Sequence, residues 1–106
     1  MTTFDKRQKD EETKYKRDEE FKFKINARRN KLLGLWAAEQ MGIKGGDAEA
    51  YAKQVVASDF ERPGDADVVE KVLKDLSDKG VPMDEHRLRK EMTRLLDVAR
   101  EQLMAE

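Results

Sequence analysis

Few residues of this chain have the types and spacing that enzymatic chemistry requires. It contains one histidine, His86, and no cysteine, so a His/Cys metal site or a catalytic triad cannot be assembled. Acids are plentiful, but a general acid–base pair needs a desolvated pocket, and each acid here has a basic neighbour. Gly45-Gly46 is not a phosphate loop, because no Gly-Lys-Ser/Thr follows it. We therefore predict a protein that is not an enzyme, that binds no metal or cofactor, and that exposes His86 to solvent.

The segment with the strongest charge bias is residues 22–31, which contains no acid. Its cations are Lys22, Lys24, Arg28, Arg29 and Lys31, and the aromatic residues Phe21 and Phe23 are interleaved with or beside them. Cations mixed with aromatics suit single-stranded nucleic acid, but the whole chain has a net charge of −1 and lacks the basic excess of a nucleic-acid-binding protein. We interpret the segment as a solvated helix face or as a docking patch for an acidic partner surface, and predict no nucleic-acid partner.

Residues 1–19 form a charged N-terminal arm. Within residues 1–20 the apolar side chains are Met1, Phe4 and Tyr15, too few to offset the entropy of ordering the backbone. Acids nevertheless precede bases by four residues at Asp5–Lys9, Asp10–Lys14, Glu12–Lys16, Asp18–Lys22 and Glu20–Lys24. Each such pair stabilises a helix by roughly 0.2–0.5 kcal/mol. We predict a mobile, nascent-helical arm that folds in a partner's groove, with Phe4 and Tyr15 as aromatic anchors.

Four amphipathic segments follow the arm and must position it. Helix one is predicted from about residue 20 to 41, ended by Gly42 in the left-handed conformation, and its pattern allows it to continue back into the arm. Asp47 is expected to cap helix two, which ends near residue 60. Helix three starts near residue 65 and ends at Gly80, with Val81 folding back on it, and Asp84 caps helix four.

Apolar side chains recur at helical spacing in each segment. They are Phe21, Ile25, Leu32, Leu33, Leu35 and Trp36; Ala48, Tyr51, Ala52, Val55 and Val56; Val68, Val69, Val72, Leu73 and Leu76; and Leu88, Met92, Leu95, Leu96, Ala99 and Leu103. No single stripe is stable alone. We predict an all-α fold, a compact four-helix bundle over residues 20–106 that follows the arm of residues 1–19.

The 106 residues allow one domain at most, and no apolar run approaches the ~20 residues that a membrane span needs. The N-terminus leads into charges and not into an apolar signal region. With cysteine absent, a reducing compartment is the simplest interpretation. We expect a cytoplasmic protein that is monomeric when free and does not insert into the membrane.

Several runs together resemble the zeta-subunit family of alphaproteobacterial F-type ATP synthase inhibitors. They are Met-Thr-Thr-Phe-Asp at residues 1–5, Phe-Lys at 23–24, Ala-Arg-Arg-Asn-Lys-Leu-Leu-Gly-Leu-Trp-Ala-Ala-Glu at 27–39, Ala-Glu-Ala-Tyr-Ala-Lys at 48–53, Ser-Asp-Phe-Glu at 58–61, Pro-Gly-Asp at 63–65 and Lys-Gly-Val at 79–81. The runs occur in order along essentially the whole chain. The run at residues 27–39 is long enough to be specific.

The resemblance implies an inhibitor whose N-terminal arm is mobile in the free protein. The arm becomes helical when it enters an interface between the alpha and beta subunits, beside gamma, and blocks rotation in the hydrolysis direction. In the arm, the family pattern is matched by Phe4, Asp5, Arg7, Lys14 and Asp18. The full set of predicted partner-binding residues adds Thr2, Thr3, Glu11, Tyr15, Arg28 and Arg29. The protein would then be peripheral to the inner membrane through the ATP synthase.

This sequence also departs from the family pattern. Tyr15 stands in place of phenylalanine, Lys16 and Arg17 stand where alanine and histidine are common, and Lys6 and Lys9 add charge to the arm. A tight groove of the partner that accepts alanine would resist Lys16. The resemblance therefore implies inhibition without fixing its strength. The alternative is a helical binding or adaptor module without strong ATPase inhibition, for example one that senses a small ligand or nucleotide.

Overall fold

The described part of the chain contains four helices. In the computed structural model, the backbone is described for residues 3–61 and 65–106, and the side chains for residues 19–59 and 65–106. The helices are α1 (Thr3–Gln40), α2 (Gly46–Glu61), α3 (Ala66–Asp78) and α4 (Glu85–Ala105). No strand occurs in the described backbone. The long α1 packs mainly against α2 and α4, while α3 makes smaller contacts with each of the other three helices. The prediction of an all-α four-helix fold is confirmed.

Two helices end at glycines in the left-handed conformation, as predicted. Gly42 has φ +76° and Gly80 has φ +75°, backbone angles that favour a residue without Cβ. After each glycine the chain folds back, because the amide of Ile43 donates to the carbonyl of Ala38 at 2.8 Å, and the amide of Val81 donates to Leu76 at 2.9 Å. This Schellman arrangement satisfies carbonyls at the helix end. It also brings the side chains of Ile43 and Val81 against the core.

The starts of the helices agree with prediction at one site and differ at another. The Asp84 carboxylate accepts a hydrogen bond from the Arg87 amide at 2.7 Å, which confirms it as the cap of α4. Helix α2 begins one residue before Asp47, so Asp47 lies inside the first turn and the prediction that it is the cap is wrong. The Gly45 carbonyl accepts from the Glu49 amide there. The Asp47 charge still interacts favourably with the helix dipole from this position.

The predicted apolar stripes meet in one core. Leu33, Leu76 and Leu88 are fully buried at its centre. Within the stripe of α1, Leu33 is more deeply buried than Leu32 or Trp36, which are partly buried and pack against the core. The other members of the core cluster are small or branched residues and a few larger ones: Ala37, Ala38, Tyr51, Val55, Val68, Val69, Val72, Met92 and Leu95.

Helices α1 and α2 cross at very close range. A Cβ atom placed on Gly34 would lie 2.5 Å from the Cα and 3.1 Å from the Cβ of Ala52, distances at which atoms overlap. The crossing therefore requires a residue without a side chain on α1 and a small one on α2. It allows the backbones of the two helices to touch.

The arm and the bundle share one helix. The 38 residues of α1 correspond to a rod of about 57 Å at 1.5 Å per residue, whereas the 21 residues of α4 span only about 32 Å. Neither α2 nor α4 is long enough to cover α1, and the molecule measures 65 × 26 × 22 Å. The predicted continuation of helix one into the arm is thus observed.

The predicted boundary between residues 19 and 20 and the predicted mobility of the arm remain predictions. Helix α1 crosses that boundary without a break, and the side chains of residues 1–18 lie outside the described residues. Among the predicted pairs, Glu20 and Lys24 are described, and they do not approach within salt-bridge distance of each other. An exposed pair of this kind contributes little to stability. Without it the helix is less stable by a few tenths of a kcal/mol at most.

Candidate docking site

The predicted partner-binding residues fall into two groups. Residues 3–18 belong to the helical backbone of α1, where their side chains lie outside the described residues, as does Thr2 entirely. Contacts of Thr3, Phe4 and the other arm residues with a partner therefore stay predictions. The second group, Arg28 and Arg29, lies where α1 enters the bundle, and the structure places these two side chains differently.

Arg28 connects α1 to the end of α4. Its Nη1 donates to the Gln102 Oε1 at 3.0 Å, and its Nη2 lies 2.7 Å from the Glu106 Oε1. The side chain keeps 28% of its surface exposed, and that of Glu106 keeps 60%. A charge pair this exposed exchanges readily with water or another carboxylate. Arg28 thus remains accessible to a partner.

Arg29 is buried, with 4% of its surface exposed. Its Nη2 donates to the Asp65 Oδ1 at 2.7 Å and to the Asn30 Oδ1 at 3.0 Å, and its Nε also reaches Asn30 at 3.1 Å. The planar guanidinium thus joins α1 to the residue that precedes α3. Because these bonds occupy Arg29 inside the bundle, we assign it an intramolecular role and keep the prediction of a partner contact for Arg28.

The ion pair between Arg29 and Asp65 makes the stability of the fold depend on pH. The hydrogen bond from Arg29 lowers the pKa of Asp65, the charges of Arg29 and Arg89 add to this, and partial burial opposes it. A carboxyl whose pKa is lower in the folded state stabilises the fold above its unfolded-state pKa, and that contribution is lost as pH falls through the folded-state pKa. The charged Asp65 therefore stabilises the fold at neutral pH but not at strongly acidic pH.

Replacement of Asp65 by asparagine is expected to destabilise the protein at pH 7, and the effect should begin to shrink below about pH 4, where the Asp65 carboxyl of the unfolded chain takes up a proton, and vanish below the lowered folded-state pKa. Urea unfolding of both chains between pH 7 and pH 3 measures this convergence. Asp97→Asn is the control, because the Asp97 carboxylate is 70% exposed and lies 4.0 Å from Arg100. A stability difference for Asp65→Asn that stays constant over the whole pH range would contradict the assignment.

A second polar cluster joins α2 to α3. The Tyr51 hydroxyl donates to the Asp75 Oδ2 at 2.8 Å, the Lys71 Nζ lies 3.1 Å from the same oxygen, and the ammonium sits 5.4 Å from the Tyr51 ring centroid. Burial, and then the bond to Asp75, raises the pKa of Tyr51 well above its ordinary value. The hydroxyl therefore stays protonated and acts as a fixed donor between the two helices.

An open groove lies beside the root of the arm, which is the segment of α1 at residues 21–31. Helices α1, α2 and α4 line this groove. Its apolar lining comes from Phe21 and Ala27 on α1, Val56 on α2 and Leu103 on α4, all half-buried, and its volume is about 640 Å³. Lys24, Arg28 and Lys31 provide its positive charge, and Glu106 also lines it. The basic segment noted in the sequence thus faces an apolar depression built from three helices.

Three residues that position this region were not singled out from the sequence. They are Asn30, Gly34 and Asp65, and each acts through a partner that is distant in sequence or through burial. A polar residue on an otherwise apolar helical face was the available signal for Asn30, which is fully buried. For Gly34 the signal was a glycine in the interior of a predicted helix, where it costs about 1 kcal/mol relative to alanine and calls for a packing reason.

Among the described residues there is neither a cluster of metal ligands nor a membrane-spanning helix. No group of three or more His, Asp or Glu side chains converges as a metal site among the described residues. None of the described helices combines the length and apolar character needed to cross a bilayer. His86 is exposed, as predicted.

The fold defines a small all-α protein in which α1 is longer than any of the three helices packed against it. A family model described as ATPase inhibitor subunit zeta matches residues 1–102. The chain belongs to the ATPase inhibitor subunit zeta family.

A solved structure supports the same fold. The chain is similar to a protein whose structure was determined by solution NMR. The two sequences are 49% identical and the two structures superpose with a TM-score of 0.70. The match covers 78% of this chain and 94% of that one. No relative was found among curated proteins.

Proposed function

We propose that the protein inhibits ATP hydrolysis by the catalytic head of an F-type ATP synthase. Residues 1–19 enter an interface between an alpha and a beta subunit beside gamma and block rotation, while the bundle stays outside. The observation that carries the proposal is the family match over residues 1–102. The protein would be held at the inner membrane only through this enzyme.

The form of α1 fits such a role. Residues 3–18 of the helix span about 24 Å at 1.5 Å per residue, enough to reach from a surface into a large complex. Ordering a segment of backbone costs roughly 1–2 kcal/mol per residue. A helix that propagates outward from a folded bundle avoids the costly nucleation step, which lowers the free energy that the partner interface must supply.

The decisive experiment titrates the protein into the matching F-type head complex and follows ATP hydrolysis. We expect hydrolysis to fall with full-length protein, and deletion of residues 1–19 to weaken inhibition at least 100-fold, because the blocking segment is gone. Phe4→Ala with Tyr15→Ala should weaken it by about 10-fold or more, as loss of aromatic anchors does.

Circular dichroism of each variant is the control, since the helices over residues 20–106 should persist without the arm. Hydrolysis that proceeds at the same rate with and without the full-length protein would contradict the proposal. So would full inhibition by the chain that lacks residues 1–19.

A further inference from the structure

The groove beside the arm's root has no assigned occupant. We propose that it docks an acidic, partly apolar segment of the protein complex that receives the arm, so that the chain holds its target at two points. This inference rests on the proposed function for the identity of the target and on the groove's own features for the chemistry of the contact.

Apolar exposure concentrates at this end of the bundle. Among the described residues, the large apolar side chains exposed to solvent are Phe23, at 57%, and Met104, at 71%. Phe23 lines the groove, and Met104 follows the lining residue Leu103 in the last turn of α4. The exposed Phe23 ring and the half-buried apolar residues of the groove form an apolar patch rimmed by polar groups, which is typical of interaction sites. The groove therefore offers an apolar side chain of a partner a place to be buried.

The charge around the groove selects an acidic occupant. Lys24 and Lys31 are exposed, and within the described part of the chain neither has a carboxylate at salt-bridge distance. Arg28 holds the exposed Glu106 carboxylate at 2.7 Å, which is the geometry that a partner's carboxylate would adopt if it took that place. Positive charge above an apolar floor favours a complementary negative segment and raises its association rate.

These features fit a protein segment better than a nucleic acid. Single-stranded nucleic acid is bound along a track of cations with several exposed stacking rings. Here the cations lie within residues 24–31, Phe23 is the one exposed ring of the lining while Phe21 is half-buried, and the other apolar lining residues are aliphatic: Ala27, Val56 and Leu103. The chain's net charge of −1 supplies no wider field that would attract a phosphate backbone.

The groove also continues the predicted contact edge of the arm. The spacing of three and four residues that links the predicted arm contacts Phe4, Arg7, Glu11, Lys14 and Asp18 continues to Phe21 and, past the buried core residue Ile25, to Arg28; of these, Phe21 and Arg28 line the groove. On a continuous helix such positions share one side. A partner that contacts the arm along this edge reaches the groove next.

The test reverses two exposed charges in the full chain. Lys24→Glu with Lys31→Glu changes the groove, and Lys44→Glu with Lys74→Glu, at exposed positions that do not line it, is the control with the same net charge. Binding to immobilised head complex is measured at 50 and 200 mM salt, and hydrolysis is assayed in parallel.

We expect the groove variant to bind at least 10-fold more weakly at low salt, the deficit to shrink at high salt, and the control to bind like wild type. At saturating concentration the groove variant should still inhibit fully, because its arm is unchanged. Thermal melts of all chains should agree, since the altered lysines are exposed.

Wild-type affinity in the groove variant, or an equal loss in the control, would overturn the groove's role while the inhibitory function stands. Tight binding of a 20-nucleotide single strand that only the groove variant loses would overturn it in favour of nucleic acid. A wild-type chain that binds the head through the groove without slowing hydrolysis would instead overturn the proposed function. A chain that does not bind the head at all would overturn both.

Discussion

Replacement of Gly34 by alanine is expected to lower the free energy of unfolding by about 2–4 kcal/mol. The new Cβ would lie 2.5 Å from the backbone Cα of Ala52, and a backbone atom cannot move aside as a flexible side chain does. Helices α1 and α2 would have to separate, and the contacts along their interface would weaken together. The intrinsic preference of alanine for helix, worth up to about 1 kcal/mol, recovers only part of this loss.

Thermal and urea unfolding monitored by circular dichroism measure the effect, and for a domain of this size we expect a melting temperature lower by about 10–20 °C. Gly46→Ala is the matched control. Gly46 is also helical, but a Cβ placed there meets no atom within 4 Å, so this variant should be neutral or slightly more stable. Similar melting temperatures for the two variants would show that the helices do not cross as closely as described.

The second large effect concerns Arg29. Replacement by methionine keeps an apolar stem in the buried position but removes the guanidinium that bonds Asp65 and Asn30. We expect a loss of about 2–3 kcal/mol, mainly because the fully buried Asn30 amide oxygen is left without a donor. The missing bond to Asp65 contributes less to this loss of stability, since 45% of the Asp65 side chain is exposed and water can solvate it.

The Asn30 amide nitrogen already has no hydrogen-bond partner within the described part of the protein. A chain with both Arg29→Met and Asn30→Leu should therefore be more stable than Arg29→Met alone, because no buried polar group is then left unsatisfied. Arg100→Met is the control, with an expected change within about 0.5 kcal/mol, since its contact to Asp97 is long and exposed. Additive losses in the double variant would refute the coupling between Arg29 and Asn30.

Features that depend on neighbouring residues could be predicted from the sequence. The left-handed glycines at 42 and 80, the return of Val81 and the cap at Asp84 are each decided within six residues, where chain geometry allows few solutions. The apolar stripes were predictable for the same reason, because helical periodicity places them on one face.

Features that depend on contacts between helices could not be predicted in this way. Arg29 is one of five similar cations in residues 22–31, and only the approach of Asp65, 36 residues later, distinguishes it from the exposed ones. The requirement for Gly34 comes from Ala52 on another helix. The groove combines Phe21, Val56 and Leu103 from three helices, so no local pattern could reveal it.

Because α1 is one unbroken helix, the direction in which each arm residue points about the helix axis is fixed relative to the groove. Each residue added or removed between them would turn the arm by about 100° and shift it by about 1.5 Å, so the proposed docking at two points would constrain the length of this segment more than its composition. Side chains there can vary, but a single insertion would point the arm's contact edge away from the groove. The smallest change that would bring the two back to within about 20° is one of seven residues.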